Sequence, residues 1–339
     1  MFQRGDHMAH KLTLKQACQG LIHYKNAVGL SPHTIANYKT TFKKLFLFFE
    51  EETLFEDITR KDMVEFFAWL QEDYISNPNG IAPRKKKPLT PKTIRNIHTN
   101  LSALWAWAVD EWFAKRNIVK EIDKPPVSPP VIEPFAREDV AALLKACDTT
   151  RSWKTRSSVS YARPTADRDK AIILTLLDTG VRTSGLCGMR HGDVSLSANS
   201  IRVRGKGAGK DSKERIVYIG KTTGKAIWKN LLPRMSEIRE GDHLFVVGTE
   251  EDWRPMSRHA LGRLLKRIDA RAGVKDVYQH RFRHTFAITY IRNDGDIFTL
   301  QALLGHSDLT MVKRYARIAK VDCEAAHRKA SPVDNWRLR

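Results

Sequence analysis

Between Asp123 and Pro134 the chain carries Pro125, Pro126, Pro129, Pro130 and Pro134, five prolines in twelve residues. Proline fixes φ and lacks a backbone N–H, so this stretch cannot form a helix or an inner strand. It reads as a stiff, extended linker and obliges the chain to fold as two bodies. A length of 339 residues agrees with two domains and needs no disulfide or metal to support a core. The division expected is a disordered start over 1–10, a helical domain over 11–122, the linker over 123–135, a second domain over 136–320 and a tail over 321–339.

Charge narrows the class of partner. Lys and Arg number 58 against 38 Asp and Glu, a formal net charge of +20. Such an excess is the electrostatic footprint of a polyanion binder, nucleic acid above all. Cys18, Cys147, Cys187 and Cys323 are widely separated and form no CxxC. They read as reduced thiols, as expected in a cytoplasm. No apolar run reaches the ~18 residues of a membrane span, and the opening residues lack the apolar core of a signal peptide.

The first half carries helical signals throughout. Leu14, Ala17, Leu21 and Ile22 recur at helical spacing. Ser31-Pro32 and Thr90-Pro91 each pair an N-cap with proline at the first helical position, where its missing N–H costs nothing. The helix after Pro32 is expected to run to about Glu51, with Lys39, Lys43 and Lys44 on its polar side. Thr59 caps a third helix. The fourth, from Pro91, is expected to bury Ile94, Ile97, Leu101, Leu104, Trp105 and Trp112 and to expose Lys92, Arg95, Asn96 and His98. Before it comes a loop with Arg84, Lys85, Lys86 and Lys87 in a row. Such a run is often just a solvated loop. Beside the basic side of the next helix it suits phosphate contacts along a duplex.

In the second half, a helix is expected from Arg137. A buried helix spans Lys170 to Asp178 and stops at Thr179-Gly180. Ile201 and Val203 alternate with Arg202 and Arg204 as a half-buried strand, paired with Ile216 to Ile219 across a glycine-rich tip. His243 to Val247 reads as another strand. Ser257 caps an amphipathic helix with Arg258, Arg263, Lys266 and Arg267 outside. A further helix lies around Arg283 to Asn293. Gly305 reads as a left-handed helix stop and Ser307 as the N-cap of a last short helix holding Tyr315.

Four separated pieces then hold polar groups in apolar or glycine-punctuated settings: Thr179-Gly180-Val181-Arg182, Gly205-Lys206-Gly207, His280-Arg281-Phe282-Arg283-His284, and Leu303-Leu304-Gly305-His306 with Tyr315 nine residues on. Alone, each has a bland account: a structural arginine, a solvated tip, a packed tyrosine. His280 and His284 have the i, i+4 spacing of HExxH, but lack its glutamate and flank two arginines, which argues against a metal. The lysine tip lacks the spacing of a phosphate-binding loop.

Taken together and in this order, the pieces resemble the tyrosine recombinases, the phage-integrase and Xer type of site-specific DNA recombinase. The resemblance covers nearly the whole chain. It implies a mainly α fold with a small antiparallel β-sheet in the catalytic domain, a helical SAM-like core-binding domain preceding a mixed α/β catalytic one. It implies that Tyr315 attacks a DNA phosphodiester and becomes joined to the 3′ phosphate, with Arg182 and Arg283 clamping the non-bridging oxygens. Lys206 would protonate the leaving 5′ oxygen, His280 would assist as acid/base, and His306 would hydrogen-bond the phosphate. Physical chemistry agrees: arginine forks bind phosphate bidentately, and a phenol of pKa ~10 needs neighbouring cations to attack.

The partners implied are double-stranded DNA with inverted half-sites and three further copies of the chain, a homotetramer on DNA exchanging strands through a Holliday junction. No metal and no ATP are expected. The setting implied is a prokaryotic cytoplasm at the nucleoid, with no arm-binding domain before Leu12. The tail after 320 would dock on a neighbouring protomer. One departure stands out: the carboxylate that the family usually carries three residues after the first arginine is Gly185 here. Its loss either loosens Arg182 or is compensated by a nearby group such as Asp193. The alternatives are a DNA-binding relative without catalysis and a type IB topoisomerase-like strand transferase.

Overall fold

The computed structural model describes residues 11–74, 88–128, 131–150, 161–204, 214–249, 252–305, 309–319, 327 and 331–336. Arg84 to Lys87, Lys206, His306 and Ser307 lie outside the described residues, as does nearly all of 321–330. The chain divides into two compact units, Met1–Pro130 and Val131–Arg339, at a point inside the proline-rich stretch.

The first unit is helical: α1 (Leu14–Ala27), α2 (Pro32–Leu45), α3 (Arg60–Glu72) and α4 (Pro91–Asp110). The last three begin at the residues their sequence marks, and α1 begins after Thr13. Thr13, Ser31, Thr59 and Thr90 all accept a backbone N–H of the first turn, and Asp62 returns a bond to Thr59 N at 2.8 Å. The helices close around Leu21, Phe42, Met63, Phe66, Leu101 and Trp105, each burial being worth about 1.5–3 kcal/mol.

Three details differ from the sequence expectation. α2 ends at Leu45, not near Glu51, because Phe48 and Phe49 turn back onto Phe66 and Trp69. Burying those rings outweighs another helical turn. Trp112 lies beyond the end of α4, with φ 64° and 92% of its surface exposed. Phe113 takes the inner place instead, since Phe113 and Ala114 N–H both bond Ala108 O and the Phe113 ring packs on Trp107. His98 is buried rather than exposed, with Nε2 2.7 Å from Ile122 O and its ring stacked on Phe67.

The second unit holds α5 (Arg137–Asp148), α6 (Ala166–Thr179), α7 (Thr183–Cys187), β1 (Val194–Ser195), β2 (Ser200–Val203) and β3 (Arg215–Tyr218). Then come α8 (Lys221–Leu231), β4 (Val246–Val247), β5 (Arg254–Pro255), α9 (Arg258–Ala272), α10 (Gln279–Arg292), α11 (Ile297–Leu304) and α12 (Thr310–Ala319). β1, β2 and β3 form an antiparallel sheet in that order, with Ile201 opposite Val217. β4 pairs only with β5; His243, expected in a strand, makes an isolated bridge to Arg190. α6 is the central helix, packed against α5, α8 and α10. That explains its near-continuous apolar run. Its one buried acid, Asp169, is held by Arg163 and Arg168 at 2.8 Å each, as a charge out of water requires. Among the described residues no helix is long and apolar enough to cross a membrane.

Candidate active site

α6 stops at Gly180 in the left-handed region, φ 56°. A Cβ there would also meet Phe286 Cδ1 at 2.5 Å, so glycine is required on both counts. The stop releases the chain into Arg182, which is exposed at the N-cap of α7.

α10 carries His280, Arg283 and His284, three and four residues apart and therefore on one face. Arg283 is only 3% exposed. Its Nη1 donates to Gly180 O at 2.7 Å and its Nη2 to Leu304 O at 2.8 Å. A single guanidinium thus ties the ends of α6 and α11 together. Both carbonyls lie at helix C-termini, where the dipole favours a cation. Burial, then the charge of Arg182, pushes the Arg283 pKa down to about 9, still above neutrality.

The sequence reading missed Arg215, at the start of β3. Its Nε donates to Leu303 O at 2.9 Å, one carbonyl before the one Arg283 takes. Its guanidinium lies against Gly305, where a Cβ would stand 2.9 Å from Nη1. Gly305 closes α11 with φ 62°, as its sequence predicts. Burial and then Arg182 lower the Arg215 pKa, and Arg215 in turn lowers that of Arg283. Three arginines from three elements therefore feel one another's charge. Only long-range packing brings Arg215 here, so no local motif marks it.

Tyr315, on α12, is 1% exposed and packs with Ile288, Leu300, Leu304 and Val312. Its hydroxyl is 2.9 Å from His284 Nδ1, with ring centroids 5.6 Å apart. Burial raises the phenol pKa, and Arg283, Arg314 and Arg182 pull it back. Burial, followed by His280 and the nearby arginines, pushes His284 down to about 4. At neutral pH the contact is therefore a bond between a phenol and a neutral imidazole. The His280 pKa is lowered too, by burial and then by Arg283 and Arg182.

Of the residues singled out in the sequence, Arg182, His280, Arg283 and Tyr315 come together, joined by His284 and Arg215. Asp193 bonds other groups than Arg182: its Oδ1 accepts from Arg204 at 2.9 Å and its Oδ2 from Arg190 N at 3.0 Å. A Cβ at Gly185 would approach Val203 Cγ1 to 3.1 Å, so the position faces an apolar strand residue. Lys39, Lys43, Lys92, Arg95, Arg258 and Arg263 are all exposed.

An arginine-lined site beside a buried tyrosine is suited to hold a phosphate and to stabilise charge developing on its oxygens. The phage integrase family model matches residues 135–321, and the phage integrase SAM-like domain model matches residues 14–124. The chain belongs to the phage integrase family, the tyrosine recombinases, and is a DNA recombinase. Among its relatives, tyrosine recombinase XerA of Thermococcus kodakarensis is 29% identical over 92% of this chain and 94% of its own. Tyrosine recombinase XerD of Pseudomonas putida is 26% identical over 80% of this chain and 89% of its own. A lambda integrase tetramer bound to a Holliday junction shares the fold, with a TM-score of 0.66 at 17% identity over 90% of this chain and 78% of that one.

Proposed function

We propose that this recombinase is site-specific and exchanges DNA strands through a covalent phosphotyrosyl intermediate at Tyr315. The observation that carries the reading is the buried Arg283, anchored by two helix-end carbonyls within electrostatic reach of Arg182 and Tyr315. Positive charge fixed before the reaction is what phosphoryl transfer draws on. The Tyr315 hydroxyl oxygen attacks phosphorus as its proton passes to the imidazole pair, His284, which the hydroxyl touches, and beyond it His280, and the bond to the 5′ oxygen breaks. Lys206 supplies the proton that makes the leaving group a 5′ hydroxyl. Arg182 and Arg283 bind the non-bridging oxygens, and His306 adds a hydrogen bond. One phosphodiester bond replaces another, so the exchange is close to isoenergetic and needs no ATP. Attack by a 5′ hydroxyl from a second duplex then yields a Holliday junction.

The partner in this reading is a duplex with inverted half-sites, and four copies assemble on two such duplexes. Residues 11–122 and 136–320 serve as core-binding and catalytic domains, with the tail from 321 reaching a neighbouring copy. The net charge of +20 supports a DNA partner. Exposed Lys39, Lys43, Lys92 and Arg95, with Arg84 to Lys87, supply phosphate contacts on one unit. Arg258 and Arg263 supply them on the other.

The test is a pool of duplexes bearing one nick and randomised sequence around it, incubated with the protein. Denaturing capture of protein-linked DNA should enrich a defined sequence. A pool that leaves no DNA attached to the protein contradicts the reading.

A further inference from the structure

We infer that Arg215 is a third phosphate-binding arginine of this site, contributing an Nη donor to the scissile phosphodiester. This role rests on the recombinase chemistry proposed above and extends its binding set.

Arg215 is held by one edge only. Its Nε is committed to Leu303 O, while among the described residues its two Nη groups make no hydrogen bond. Neither Nη is among the buried atoms left without a partner, so both reach solvent and stand open to an anion. Its neighbour in sequence, Glu214, faces Arg204 instead, at 3.6 Å. Around Arg215 the dominant neighbouring charge is another cation, Arg182, and Arg215 itself bears on Arg283. Three mutually repelling guanidinium groups from α7's N-cap, β3 and α10 are stabilised together by an anion between them. The planar fork suits a tetrahedral phosphate.

Gly305 completes the case. A side chain there would stand 2.9 Å from Arg215 Nη1. The glycine stop of α11 therefore leaves room for this guanidinium at the end of the helix. Arg215 also starts β3, the strand that follows Lys206 in the sequence. One side chain thus connects the hairpin with the end of α11.

The experiment measures single-turnover formation of covalent protein–DNA adduct, with nicked duplex recovered from the randomised pool, for wild type, Arg215→Ala and Arg215→Lys. Arg215→Ala should slow adduct formation by about 100-fold, while DNA affinity falls by less than about threefold. Millimolar guanidinium ion should restore part of the alanine variant's rate, and Arg215→Lys should fall between. Thermal midpoints accompany each variant. Adduct formation by Arg215→Ala within about threefold of wild type excludes the role and leaves the recombinase reading intact. A slow alanine variant that guanidinium does not rescue, with a midpoint lowered in step, reduces Arg215 to a clip on α11 and overturns the inference. Failure of the wild type itself to form adduct contradicts the recombinase chemistry and removes the role with it.

Discussion

The bond between Tyr315 and His284 places the nucleophile of the proposed reaction against a neutral imidazole. His284 titrates near 4 in the folded chain, against about 6.5 when unfolded. A folded-state pKa depressed in this way contributes stability that is present above the unfolded value and lost as pH falls towards the folded one. Between pH 6.5 and 4 the second unit should therefore lose about 1–2 kcal/mol from this group, after allowance for screening by solvent. His284→Gln should flatten that part of the profile; unfolding midpoints followed against pH would show it, and an equally steep profile in the variant would contradict the assignment. Tyr315 was legible in the sequence as the candidate nucleophile because several short motifs stand in one order, though no motif sufficed alone. Its contact with His284 was not. His284 sat inside a recognised motif, yet its partner lies 31 residues away. Arg215 was less legible still, since nothing local separates it from the other strand arginines.

Among the elements, those with a cap and a strong period could be read directly. α2, α3 and α4 start where Ser31, Thr59 and Thr90 place them. Their ends were less legible, because tertiary packing of Phe48, Phe49 and Phe113 decides where the helix gives way. α7 and α11 are too short for periodicity to reveal, and β1 has two residues. Gly305 was read correctly as a left-handed stop, but its second duty to Arg215 needed the fold. Gly305→Ala pays for both the positive φ and the close approach, and should cost about 1–2 kcal/mol. Denaturant unfolding of the variant measures this directly; a loss below about 0.3 kcal/mol would show that neither constraint holds.

For the molecule as a whole, the proline-rich stretch predicted two bodies, and the chain divides within it. The charge excess predicted a polyanion partner without saying which residues meet it. Counterion release makes such binding steeply salt-dependent. Replacing Lys92 and Arg95 together by alanine should reduce the log–log salt slope of DNA affinity by about 2, roughly equally on all sequences. An unchanged slope would take α4 off the DNA. Sequence preference is a separate matter, set by a few groove-facing side chains and by duplex shape. The central claim is covalent attachment through one residue. It is tested most directly by digesting the trapped protein–DNA adduct and sequencing the DNA-bearing peptide by mass spectrometry. The nucleotide should sit on Tyr315 through a 3′ phosphate, with no adduct from Tyr315→Phe. Attachment at any other residue, or an adduct that survives Tyr315→Phe, would contradict it.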